Sequence, residues 1–111
     1  MAVVFVREKV KPKDLKVASE EFESYIKVVV DVETGNTTIG GVWHADGEKV
    51  LLENGSRQKN IWGGGIDTNS GRVETVALIN VRPNDGNDSQ EILDAKVRDK
   101  FVSIVKEKFG L

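Results

Sequence analysis

The sequence predicts an α+β fold: a single domain over residues 1–111, with an antiparallel-rich sheet of four to five strands and helices packed on one face. Three observations predict it. Ile26, Val28, Val30 and Val32 alternate onto one side of residues 25–32, the signature of a half-buried strand. Glu33-Thr34-Gly35-Asn36 follows as a turn, and Thr37 to His44 runs back to make a hairpin. Apolar residues spaced three and four apart then mark helices near both ends of the chain.

Taken in order, residues 2–7 read as an opening strand. Pro12 suits the first turn of a helix, where its missing N–H is no loss. Leu15, Ala18, Phe22 and Tyr25 mark one face of that helix, and Asp14, Glu20, Glu21 and Glu23 its wet side. Gly40-Gly41 in the second hairpin strand signals a bulge or a close backbone approach. Residues 46–55 fit two patterns. As a helix, Asp46 caps the start and Gly55 ends it in the left-handed conformation. As a strand, Asp46-Gly47 and Asn54-Gly55 are turns around Val50-Leu51-Leu52. The residue content leans toward the helix.

Asn60 to Asp67 reads as extended, and Thr68 to Gly71 as a turn. Val73 to Val81 carries apolar residues on both faces, so it is expected in the middle of the sheet, stopped at Pro83. Asn84 to Ser89 is a polar loop. Asp94 then caps a last helix through Phe109, with Val97, Phe101, Ile104 and Val105 as its buried stripe and Gly110 after it.

Composition narrows the classes. The chain has 111 residues, 39% hydrophobic and 31% charged, which suits a soluble globular domain that can bury a core without staples. A formal net charge of −2 gives no global pull toward nucleic acid or anionic lipid, so neither is expected as a partner. No cysteine is present, which removes disulfides, thiol nucleophiles and cysteine metal sites. The apolar start at Ala2 to Val6 is too short for a signal-peptide core, and a cytoplasmic location is expected. The sequons at Asn36, Asn54 and Asn87 fall in expected turns, where those residue types belong anyway.

The residues with chemical potential sit at the ends of apolar runs. His44, the only histidine, is a candidate general base, with Asp46 to orient it if both lie on one side of a strand; the plainer reading is a histidine bonded to backbone beside a helix cap. Asn80 and Arg82 leave the 73–81 run together. The arginine fork suits a carboxylate or phosphate, or else holds loop carbonyls. Trp62 next to the glycine triplet 63–65 is a stacking wall or a core residue. That triplet lacks the residues of a phosphate loop, and Asn84 to Ser89 lacks the spacing of an EF-hand, so no cofactor and no metal is expected. The cations Arg7, Lys9, Lys11, Lys13 and Lys16 are balanced by Glu20, Glu21 and Glu23, as on a solvated helix.

These stretches together resemble a known family. Gly40-Gly41-Val42-Trp43-His44-Ala45-Asp46, Gly55-Ser56-Arg57-Gln58, Ile61-Trp62-Gly63, Asn80-Val81-Arg82-Pro83 and Gly86-Asn87 are similar, in the same order, to a small prokaryotic family of uncharacterised proteins, a domain of unknown function. The resemblance implies that His44, Asp46, Ser56, Gln58, Trp62, Asn80, Arg82 and Asn87 belong to one shared feature. The chain departs from the family pattern at Gly65, where members carry an amide, and at Asp88, where they carry a base.

The favoured reading is a binding domain with one pocket for a small polar or anionic ligand, formed by His44, Gln58, Trp62, Asn80, Arg82 and Asn87. An oligomeric or partner-binding protein without pocket chemistry, in which another protomer covers the far face of the 73–81 strand, ranks second. A hydrolase with His44 as base and Arg82 stabilising negative charge ranks third, because no convincing nucleophile accompanies it.

Overall fold

The computed structural model of the chain describes residues 3–19 and 24–111. Within them, β1 (Val3–Val6), β2 (Tyr25–Asp31), β3 (Thr37–Gly40), β4 (Ile61–Asp67) and β5 (Val73–Glu74) form one antiparallel sheet in the order β1-β3-β2-β4-β5. The helices are α1 (Pro12–Ala18), α2 (His44–Glu53) and α3 (Ala95–Phe109). This is the expected α+β arrangement.

The centre of the sheet is β2. Its β-branched run pairs with β3 through the expected hairpin and with β4 along its whole length, from Tyr25↔Asp67 to Asp31↔Ile61. The turn after β2 is held by the buried Asp31 carboxylate, which accepts from the N–H groups of Glu33 and Thr34. Because strand side chains alternate, β2 feeds two cores. Ile26, Val28, Val30 and Val32 pack with Ile39, Trp62, Phe101 and Val105 under α3, where Ala18 of α1 joins them. Val29 faces the other way and packs with Leu51 of α2 and with Ile61. Helices were expected on one face; α1 and α3 share one, and α2 covers the other.

Three local expectations change, and one open choice is settled. Tyr25 was placed on the first helix, but it heads β2, since it continues the strand run that pairs with β4. Phe22, also placed on that helix, lies outside the described residues. The hairpin strand ends at Gly40 instead of His44, because Gly40 and Gly41 both take positive φ (89° and 88°) and turn the chain off the sheet into α2. A Cβ on Gly41 would also meet Val3 at 2.8 Å. The open segment 46–55 is helix: α2 starts at His44 after Trp43, and Gly55 ends it at φ 96°. Asp46 does cap the start, but from the third helical position, accepting from the Trp43 N–H at 3.2 Å.

The largest change concerns residues 73–81. The expected central strand is a two-residue edge, followed by irregular chain and a tight turn at Leu78–Asn80. Its outward apolar residues stay in solvent: Leu78 is 70% exposed and Val76 43%. The cause is Asn80. Its side chain is fully buried and pairs with the Gly63 peptide, Oδ1 accepting from the Gly63 N–H and Nδ2 donating to the Gly63 carbonyl, both at 2.9 Å. A side-chain amide thus takes the place that the next strand's backbone would hold beside β4.

The glycine triplet in β4 serves this packing. A Cβ on Gly63 would meet Ala77 at 2.8 Å, and one on Gly64 would lie 2.1 Å from the Glu74 carbonyl and 2.8 Å from the Phe101 ring. Gly64→Ala is therefore expected to lower the unfolding free energy by about 3 kcal/mol or more. Urea denaturation measures it, and a loss below about 1 kcal/mol would contradict so close a contact between β4 and α3.

Candidate functional site

The six residues expected around one rim divide among two cavities, the interior and the exposed surface. Asn80 is interior. Besides Gly63 it donates to the Gln90 carbonyl at 2.9 Å, so every polar atom of its amide is engaged with backbone. Asn87 is also buried: its Nδ2 reaches the carbonyls of Asn80, Ser89 and Glu91, and its Oδ1 accepts from the Leu93 N–H. The two asparagines hold the loop 75–93 in shape. Gln58 contributes only its backbone carbonyl, and its side chain is exposed.

Arg82 and Trp62 do come together. The guanidinium lies 4.0 Å from the centre of the Trp62 ring. Its Nη1 donates to the Gln58 carbonyl at 3.0 Å and its Nη2 to the Ile61 carbonyl. Burial pulls its pKa down, while Glu48 and Asp85 pull it up. Arg82, Trp62 and Asn87 line a cavity of about 420 Å³ on the α3 side of β4, with Lys59, Asp85 and Asp94 around them.

His44 stands apart from these. Its Nε2–H donates to the Gly64 carbonyl at 2.6 Å, and a carbonyl can only accept. The neutral ring therefore keeps its lone pair on Nδ1. Burial lowers its pKa first; the Gly64 bond acts against that, and Lys27 lowers it further. A place at the first turn of α2 also disfavours a positive charge. Asp46 does not orient it. In a helix, residues two apart point about 200° from each other, and the Asp46 carboxylate serves the Trp43 N–H. The histidine–aspartate pair expected of a base catalyst is thus not assembled.

His44 lines a cleft of about 330 Å³ between α2 and the 76–79 segment. Trp43, Val76, Leu78 and Ile79 make its walls, and Lys27 and Gln90 stand at its edge. Trp43 is 66% exposed. Burial lowers the Lys27 pKa as well, and its ammonium lies 5.9 Å from the Tyr25 ring. Sequence reasoning missed Trp43, Leu78 and Lys27. Trp43 stood beside His44 in the pattern GGVWH, but nothing local told that its ring would be left in solvent.

Fold and cavities together define a small single-domain α+β protein in which His44 and Arg82 open onto two different hollows. A family model described as a protein of unknown function (DUF5674) matches residues 4–108, and the chain belongs to that family. No curated protein and no solved structure matches it. Among the described residues, no helix is long and apolar enough to cross a membrane.

Two outcomes follow from these bonds. Asn80→Ala strands the buried Gly63 peptide and is expected to cost about 2–4 kcal/mol, whereas Gln58→Ala should stay within about 0.5 kcal/mol. Paired urea titrations check both. The folded state also binds the His44 proton less tightly than the unfolded chain. Stability should then be full above the unfolded histidine range, near 6.5, and fall as the pH drops below it, by at most about 1.4 kcal/mol per pH unit. The decline should vanish in His44→Gln, as read by denaturation at stepped pH.

Proposed function

We propose that the chain is a binding domain whose ligand occupies the His44 cleft, a small molecule with an apolar body and an acidic head. One observation carries this reading: large hydrophobic side chains stand exposed around a neutral imidazole in a concave site. A single exposed hydrophobe on a small domain needs no explanation, but Trp43, Val76 and Leu78 converge on one hollow. The cleft is of a size for one ring or a short aliphatic chain, at the small end of ligand sites. A few polar groups in an apolar hollow, with pKa values moved by burial, are the usual makings of a binding site. Here Lys27 supplies a positive charge for the head, and His44 Nδ1 supplies an acceptor for its protonated form or for a hydroxyl.

Titration with benzoate and hexanoate, followed by 15N–1H NMR, tests the proposal. Shifts should centre on His44, Gly64 and Leu78, and Leu78→Ser should weaken binding about tenfold, or about 1.4 kcal/mol, without loss of stability. Sedimentation over a range of concentrations supplies the opposing outcome. If the same resonances shift on self-association and ignore the carboxylates, the face joins copies of the chain and the ligand reading fails.

A further inference from the structure

Arg82 poses a separate electrostatic problem. It is only 7% exposed, yet among the described residues no carboxylate forms an ion pair with it, and its Nε, itself buried, has no hydrogen-bond acceptor. The two carbonyls at its Nη atoms solvate the cation without cancelling its charge. Glu48 and Asp85 act on it only from a distance. A guanidinium stays protonated in proteins, so this one cannot relieve the problem by losing its proton. Burying a charge without a counter-charge is costly.

Arg82 lines the 420 Å³ cavity on the α3 side of β4. No residue lines both this cavity and the His44 cleft. The charges around it are of both signs: Arg82 and Lys59 against Asp85 and Asp94. Asp94 accepts from the N–H groups of Lys96 and Val97 through one oxygen, Oδ1, which leaves Oδ2 for another donor. Asp85 and Lys59 are exposed. A phosphate would gain from the two cations and be repelled by the two carboxylates, and a simple cation would meet the reverse. The lining is matched by a molecule that carries one charge of each sign a few ångströms apart.

We propose that this cavity binds a small zwitterion of the α-amino acid type, its carboxylate toward Arg82 and Lys59 and its ammonium toward Asp85 and Asp94. The carboxylate supplies the counter-charge that Arg82 lacks. The ring of Trp62, already stacked on the guanidinium, fixes the direction in which that cation faces.

The test is an NMR titration with glycine and L-alanine, and with acetate, methylammonium and inorganic phosphate as partial mimics. The Trp62 indole and the Gly86 and Asn87 amides report on the cavity. Saturable shifts are expected for the amino acids, with acetate and methylammonium at least tenfold weaker. Lys59→Ala and Asp85→Asn should each weaken the amino acids several-fold and leave the urea midpoint unchanged, since both side chains are exposed; they stand in for Arg82 variants, which risk unfolding the loop. Binding of acetate or phosphate as tight as that of glycine would overturn the zwitterion in favour of a plain anion site. Silence of the three reporters toward every probe would leave Arg82 as a loop clamp and end the proposal. Neither result touches the His44 cleft, whose reporters are different residues.

Discussion

The pairing of the Asn80 amide with the Gly63 peptide sets the rest of the molecule. β4 needs a hydrogen-bonding partner beyond β2, and β5 supplies one only as far as Gly65↔Glu74. At Gly63 the partner is a side chain. An amide offers the same donor and acceptor as a peptide group, but it does not oblige its own backbone to run alongside. The chain from Thr75 to Leu93 is thereby free to leave the sheet and still be anchored to it. Removal of that anchor would strand two buried polar groups at the middle of β4, which is why a fully buried asparagine is tolerated there.

Both hollows are consequences of this anchored loop. On its way to Asn80 the chain lays Ala77 and Ile79 over Gly63 and leaves Leu78 in solvent, which forms one wall of the His44 cleft. On its way out, Arg82 turns under Trp62 and Asn87 closes the loop, with Arg82 and Asn87 exchanging backbone hydrogen bonds. The sheet separates the two results. The cleft at His44 is apolar with a neutral imidazole; the cavity at Arg82 is polar with charges of both signs. The histidine and the arginine therefore do not share one pocket; they line two different cavities.

The elements with strong local periodicity were legible. Residues 25–32 alternate, and they form the central strand; the stripe Val97-Phe101-Ile104-Val105 with Asp94 ahead and Gly110 behind forms α3 with the capping expected, Asp94 accepting from Lys96 and Val97 and Gly110 at φ 73°. The run 73–81 has a better apolar count than several true strands, and it misled for that reason. Apolarity reports that residues can be buried, but not that a covering element exists. Leu78 and Val76 found none on the domain itself. His44 misled in a related way: a strand register would have aligned it with Asp46, but two glycines with positive φ had already ended the strand.

By itself the sequence determined the α+β class, the β2–β3 hairpin, the last helix with its caps, and the residue types that would be unusual if buried, since all of these rest on neighbours a few positions apart. Only the tertiary structure decided that α2 covers the second face, that β2 and not the 73–81 run is central, that Asn80 and Asn87 spend their amides on backbone, and that His44 and Arg82 open onto different hollows. Most of those outcomes depend on contacts between residues far apart in the chain, such as His44 with Gly64 and Arg82 with Ile61, and local pattern carries no information about which distant carbonyl a side chain will find.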